Sequence, residues 1–149
     1  MSLMSIFDIS GSAMSAQSVR LNTTASNMAN ANSAAASPDQ VYRSRQPIFA
    51  TIQAEMLNSA NANAFNFDGG DGVGRGVQIL GIVESDAPFQ QRYEPEHPLA
   101  DEQGYVYYPN VNIVEEMTNM ISSSRSFQMN VDVMNAARTM MQRVMSLGQ

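Results

Sequence analysis

The 149-residue sequence predicts an α+β protein: long N- and C-terminal helices pair as a coiled-coil-like α-helical layer, and a small β-rich domain lies between them in the chain. Three observations lead there. Charge is partitioned. Residues 1–36 carry one acid (Asp8) and one base (Arg20) and residues 111–149 carry three of each, so the net charge of −6 comes from the middle, where ten acids face four arginines. Next, Ile113, Met117, Met120, Ser124, Phe127, Val131, Met134, Arg138, Met141 and Met145 follow in steps of four and three, apolar at eight of ten positions. That spacing is a coiled-coil seam. Finally, the middle is punctuated by Gly and Pro and holds short runs with the period of two that marks strands. The expected organisation is an N-terminal helix within 1–36, a β-rich domain over 37–110 with a flexible loop near 58–76, and a C-terminal helix within 111–149.

In the first segment a stripe runs from Leu3 through Phe7, Met14, Leu21 and Met28. Ala13, Ala16, Ala25 and Ala29 flank it and let another helix approach closely. Gly11 costs roughly 1 kcal/mol against alanine. Local preference is modest, so packing against a partner must supply most of the stability. The helix stops before Ser37-Pro38-Asp39, because a residue preceding proline avoids the helical region.

Four strands are expected in the middle: Pro47–Ala54, Val77–Glu84, Gln90–Tyr93 and Tyr105–Tyr108, the last closed by Pro109. Val77–Glu84 is apolar on both alternations, which reads as burial on more than one side. Together they make a small sheet or partial barrel. Asn58 to Gly76, an Asn/Ala run followed by a Gly-rich stretch, is too long for an ordinary connection and reads as a surface excursion.

The last helix begins after Pro109 with Asn112 as N-cap. Glu115 completes a capping box and Glu116 also suits the positive helix start. Its roughly 35 residues give about 52 Å of helix. A second stripe, Val133, Ala137, Met140, Val144 and Leu147, lies beside the first, so the apolar surface is wider than one partner needs. Seven of the twelve methionines sit here: Met117, Met120, Met129, Met134, Met140, Met141 and Met145. Methionine adapts to several contact surfaces. Burial along one seam does not offset the ordering of so long a backbone. The N-terminal helix is therefore expected on the first stripe and neighbouring copies on the second. The residues assigned to assembly are Phe7, Met14, Leu21, Met28, Ile113, Met117, Met120, Phe127, Val131, Met134, Met140, Met141, Val144 and Met145.

Several function classes are excluded on chemistry. Eight scattered arginines and no lysine cannot form a phosphate-neutralising stripe, which argues against nucleic acid. Without cysteine there is neither a disulfide framework nor a thiolate metal site. Met1 to Ala16 lacks a basic n-region and an unbroken apolar run, so neither a cleaved secretory signal nor direct membrane insertion is expected. His97, within Glu94-Pro95-Glu96-His97-Pro98, is a single nitrogen ligand in a proline-bounded turn and reads as a solvated loop rather than a metal site. Asp68 to Gly76 has neither the alternating oxygen ligands of a calcium loop nor the Gly-Lys-Ser/Thr of a phosphate loop. Glu115 and Glu116 diverge by roughly 100° around a helix and cannot flank one bond. No serine has a histidine and an acid in a recognisable arrangement. The expectation is no enzyme, no metal and no cofactor. Ser124 and Arg138, polar positions in the seam, are candidate register devices.

Ser5-Ile6-Phe7-Asp8-Ile9-Ser10-Gly11-Ser12-Ala13-Met14, Gln17, Arg20-Leu21-Asn22 and Ala25-Ser26-Asn27-Met28-Ala29-Asn30-Ala31 closely resemble the N-terminal signature of bacterial flagellar rod, hook and hook-filament junction proteins. Tyr42-Arg43 follows in the family's place. Tyr93-Glu94-Pro95, Pro98-Leu99-Ala100-Asp101, Gly104-Tyr105-Val106, Pro109-Asn110-Val111, Glu116-Met117, Ser124-Arg125-Ser126-Phe127-Gln128 and Asn130-Val131 resemble its proximal-rod members. Within the signature, Arg20, Leu21, Asn22, Asn27, Ala29 and Asn30 are the family-motif positions. The resemblance implies paired terminal helices forming the inner layer of a helical tube, with a small β-rich domain outside. It implies a non-enzymatic subunit of the drive shaft that crosses the periplasm, exported by the flagellar type III apparatus without cleavage. Its implied neighbours are further copies and the rod proteins FlgB, FlgF, FlgG and FliE. The chain departs from the pattern at Asn58 to Gly76, which is longer. From a different class, the alternative is a soluble dimeric module whose β-rich centre recognises a ligand.

Overall fold

The computed structural model describes residues 3–52 and 76–147, so the Asn58 to Arg75 part of the long loop lies outside the described residues. The architecture is α+β. Helix α1 spans Leu3–Asn30, strands β1 (Arg45–Thr51), β2 (Val77–Glu84), β3 (Gln90–Tyr93) and β4 (Tyr105–Tyr108) follow, and helix α2 spans Ile113–Leu147. A short 3₁₀ turn, Pro38–Gln40, lies after α1, its N-terminus capped by Ser37 Oγ.

Local chemistry explains the helix ends. Asn30 turns its amide back to the Ser26 carbonyl (2.8 Å), and its own carbonyl accepts from the Ser33 N–H and hydroxyl. The Asn30 carbonyl, which the last turn leaves without a helical partner, is thereby satisfied. At the start of α2, Asn112 Oδ1 accepts from the Val114 N–H at 3.1 Å, the bond expected of an N-cap. Glu115 is exposed, whereas Glu116 turns inward. The helices run antiparallel, since the end of α1 meets the start of α2: Asn27 bonds Glu116, and Arg20 bonds Asn119.

The strands do not form the single sheet or barrel expected. β1 pairs antiparallel with β2, and β3 with β4, as separate two-stranded sheets. β1 and β2 pack principally against α1. Pairing runs from Arg45 opposite Glu84 to Thr51 opposite Val77, with a bulge that leaves Leu80 without an opposite residue. Nor is β2 buried on both sides: Leu80, Ile82 and Val83 are all exposed, because this two-stranded sheet packs on α1 and not between layers. The far end of the hairpin is tied to α1 by the Val77 N–H, which donates to Ser12 Oγ at 3.1 Å. Glycine is required next door. Gly76 has φ +141°, and a Cβ there would strike the Ser12 side chain.

The β3–β4 hairpin is held at its turn by Asp101, whose Oδ1 accepts from the Gln103 and Tyr105 N–H groups. Its other edge is bridged to the chain after α1, where Ala35 and Tyr107 exchange backbone hydrogen bonds of 2.9 and 3.1 Å. The core consists of small residues, Ala16, Ala31, Ala35, Val41, Val106, Val111 and Ala137.

Candidate assembly interface

The face that α2 turns toward the chain's own interior is not its most apolar one. Fully buried positions on α2 are Glu116, Ser123 and Ala137, flanked by half-buried Met120, Phe127, Asn130, Met134 and Met141. On α1 the buried set is Ser10, Ala16, Thr23, Thr24 and Asn27. Small side chains let two helices approach closely. Two of the buried hydroxyls are satisfied within their own helix, Thr23 to the Val19 carbonyl and Ser123 to the Asn119 carbonyl, so they need nothing from the facing helix.

This differs from the expected seam. Its members Met120, Phe127, Val131, Met134 and Met141 are half-buried, but Ile113, Met117, Arg138 and Met145 are exposed. The contact with α1 is rotated toward Ser123 and Ala137. Phe7, Met14, Leu21 and Met28 are each half-buried and line the flank of the contact. From the second stripe Ala137 is buried, while Val133, Met140 and Val144 are exposed; the side chains of Leu3 and Leu147 lie outside the described set. Much of the large apolar surface of α2 thus stays in solvent, with Val114, Ile121 and Met129 adding to it.

A buried polar joint fixes the helices to the β region. Asn27 is 1% exposed. Its Nδ2 donates to the Arg45 carbonyl at 2.8 Å and to Glu116 Oε1 at 3.0 Å, and its Oδ1 accepts from the Tyr42 hydroxyl and the Arg45 N–H, both at 2.9 Å. One side chain therefore ties α1, the entry to β1 and the start of α2 together. Beside it, Asn110 Oδ1 accepts from the Ser44 N–H at 2.8 Å and its Nδ2 donates to the Ala87 carbonyl at 2.9 Å. Asn110 thereby locks the end of the β region immediately before α2.

The other motif positions do different work. Arg20 donates to Asn119 Oδ1 at 3.2 Å, Asn30 caps α1, Leu21 is half-buried, and Asn22 and Ala29 face outward. Sequence reasoning identified Asn27 by resemblance but missed its partners. Glu116 was assigned to helix-start electrostatics, whereas it is 5% exposed and accepts from Asn27. Ser44 carried no signal, and Ser12 and Asn110 stood only within stretches that resemble the family, since their role depends on long-range juxtaposition. His97 Nδ1 accepts from the Leu99 N–H at 3.1 Å within its turn. Among the described residues no cluster of three His, Cys, Asp or Glu is placed to hold a metal, and no helix is long and apolar enough to cross a membrane.

Comparison with known proteins agrees with this layout. Residues 7–34 match the family model described as flagella basal body rod protein, and residues 102–147 match that of the flagellar basal body rod FlgEFG protein C-terminal. The sequence is 45% identical to the flagellar basal-body rod protein FlgC of Escherichia coli O157:H7 over the whole of both chains. It is 44% identical to that of Salmonella typhimurium, again over the whole of both. With FlgC of Borreliella burgdorferi it shares 32% identity over all of this chain and 99% of the relative. None of these comparisons favours the ligand-binding module. Matched at both helical ends and along its full length, the chain belongs to the family of flagellar basal-body rod proteins FlgC.

Proposed function

We propose that this structural rod subunit occupies the proximal rod, polymerises through its terminal helices and, as part of the periplasmic drive shaft, carries torque to the structures beyond. The observation that carries the reading is the division of labour on α2: the face with Ser123 and Ala137, flanked by half-buried Met120, Phe127, Met134 and Met141, turns inward, while Ile113, Val114, Met117, Ile121, Met129, Val133, Met140, Val144 and Met145 are 40–72% exposed. An exposed apolar surface of this kind marks an interaction site. A head-to-tail contact whose rotation does not close produces an open helical filament. The assembly residues are Phe7, Met14, Leu21, Met28 and the α2 set from Ile113 to Met145 given above.

The partners proposed are further copies, the rod proteins FlgB, FlgF, FlgG and FliE, and the type III export apparatus, with passage to the periplasm requiring no cleaved signal. No catalytic step is proposed. The middle's acidity limits adhesion between folded bodies and to anionic surfaces. Deleting the gene should abolish rods and swimming, and complementation should restore both with the chain present in isolated basal bodies. Swimming cells with intact rods after deletion would refute the proposal.

A further inference from the structure

Resting on that reading, we infer that the outward ridge of α2 is covered by the outward face of α1 from a second copy, with Arg125 of one opposite Asp8 of the other. Ile113, Met117, Ile121, Arg125, Met129 and Val133 are spaced four apart and all are exposed. Rows at this spacing form the ridges that enter the grooves of a neighbouring helix. The corresponding outward face of α1 is shallow. Gly11, Ser15, Ser18, Asn22, Ala25 and Ala29 follow Asp8 in steps of three and four, and a Cβ added at Gly11 would meet nothing within 4 Å. Large side chains thus meet a smooth bed: with Arg125 opposite Asp8 and the two helices antiparallel, the ridge from Ile113 to Arg125, about 18 Å at 1.5 Å per residue, lies over α1 from Arg20 back to Asp8.

Charge selects the occupant. Asp8 is the only charged residue on that α1 face, and Arg125 the only one on the ridge. Neither belongs to the ion pairs formed among the described residues, which are Arg43–Asp86 and Arg45–Glu84. A single polar position in an apolar stripe penalises wrong registers. Pairing two α2 ridges with each other would bring like charges together and close a dimer, which ends growth. Pairing two α1 faces would join two shallow surfaces and leave both ridges bare. Only ridge on face uses both surfaces and leaves one of each open for the next copy.

The chain has no cysteine, so a variant carrying both Asp8→Cys and Arg125→Cys reports on this contact directly. Mild oxidation of cells expressing it at native level should give a ladder of dimer, trimer and larger species, since a disulfide forms only between Cα atoms within about 7 Å. Each single variant should remain monomeric. Failure of the double variant to form any ladder, or dimers from Arg125→Cys alone, overturns the inference. A charge-reversal pair provides an independent arm. Asp8→Arg or Arg125→Asp should each lower incorporation into basal bodies about tenfold or more, and their combination should restore it; equal incorporation of all three overturns the contact. Absence of the unmodified chain from basal bodies would instead remove the rod reading itself, so the two failures are distinguishable.

Discussion

At the scale of single residues, the molecule depends on Asn27. Its amide serves the N–H and carbonyl of Arg45, the Glu116 carboxylate and the Tyr42 hydroxyl, and removal leaves the Glu116 carboxylate and the Arg45 backbone without these bonds together. An unsatisfied buried group costs about 1–3 kcal/mol, and more when charged. Asn27→Ala should therefore destabilise the fold by about 3 kcal/mol or more, measured by urea unfolding followed by circular dichroism. Glu116→Gln keeps an oxygen for the Asn27 amide and should cost far less. A midpoint unmoved by Asn27→Ala would show that the joint is not structural. A second residue-scale effect lies at Tyr108, whose hydroxyl donates to Glu94 Oε2 at 3.0 Å. That hydrogen bond, chiefly, raises the Tyr108 pKa above its ordinary 10.0. Because the folded pKa is the higher one, the associated stability is present below the ordinary value and is lost as pH rises through the folded one. Glu94→Ala removes the acceptor and should bring the Tyr108 titration, followed by ring NMR shifts, back down; an unchanged titration would exclude the bond as cause.

At the scale of elements, the two sides of α2 should respond oppositely to substitution. Ser123 is fully buried against α1, and Ser123→Leu should overpack that contact at a cost of about 1–3 kcal/mol. Met117→Gln and Ile121→Gln lie on the bare side and should change monomer stability by no more than about 0.5 kcal/mol, while impairing rod formation. Comparing thermal melts with basal-body yields for the same variants checks both halves. The same contrast explains what was legible in the sequence. The existence of both helices, the Asn112 cap and the spans of β2, β3 and β4 follow from periodicity and turn chemistry, and the structure has them at Val77–Glu84, Gln90–Tyr93 and Tyr105–Tyr108. Which face of α2 meets α1 was legible only in part, since Met120, Phe127, Val131, Met134 and Met141 of the expected seam are half-buried. Ranking faces by apolarity favours the row through Met117 and Met145, whereas the chain places Ser123 and Ala137 against α1, because small side chains permit the close approach. β2 misled for a related reason: apolar residues on both alternations read as two-sided burial, yet Leu80, Ile82 and Val83 are bare.

At the scale of the whole molecule, the fold is a joint with uncovered arms. The junction of Asn27, Glu116, Tyr42, Ser44 and Asn110 is hydrogen-bonded, while α2 holds Val114, Met117, Ile121, Met129, Val133, Met140, Val144 and Met145 in water. The sequence disclosed the arms through their neutral, methionine-rich composition and disclosed the junction only as a family motif. Its partners are separated by up to 89 positions in the chain, so periodicity contains no trace of them. A subunit of this design should hold its junction when alone and complete the burial of α2 only among other subunits. Methionine oxidation by dilute peroxide, read residue by residue by mass spectrometry, tests this most directly. Met117, Met129, Met140 and Met145 should oxidise rapidly in the dilute purified chain and become strongly protected in isolated basal bodies, whereas equal oxidation in the two states would contradict the account.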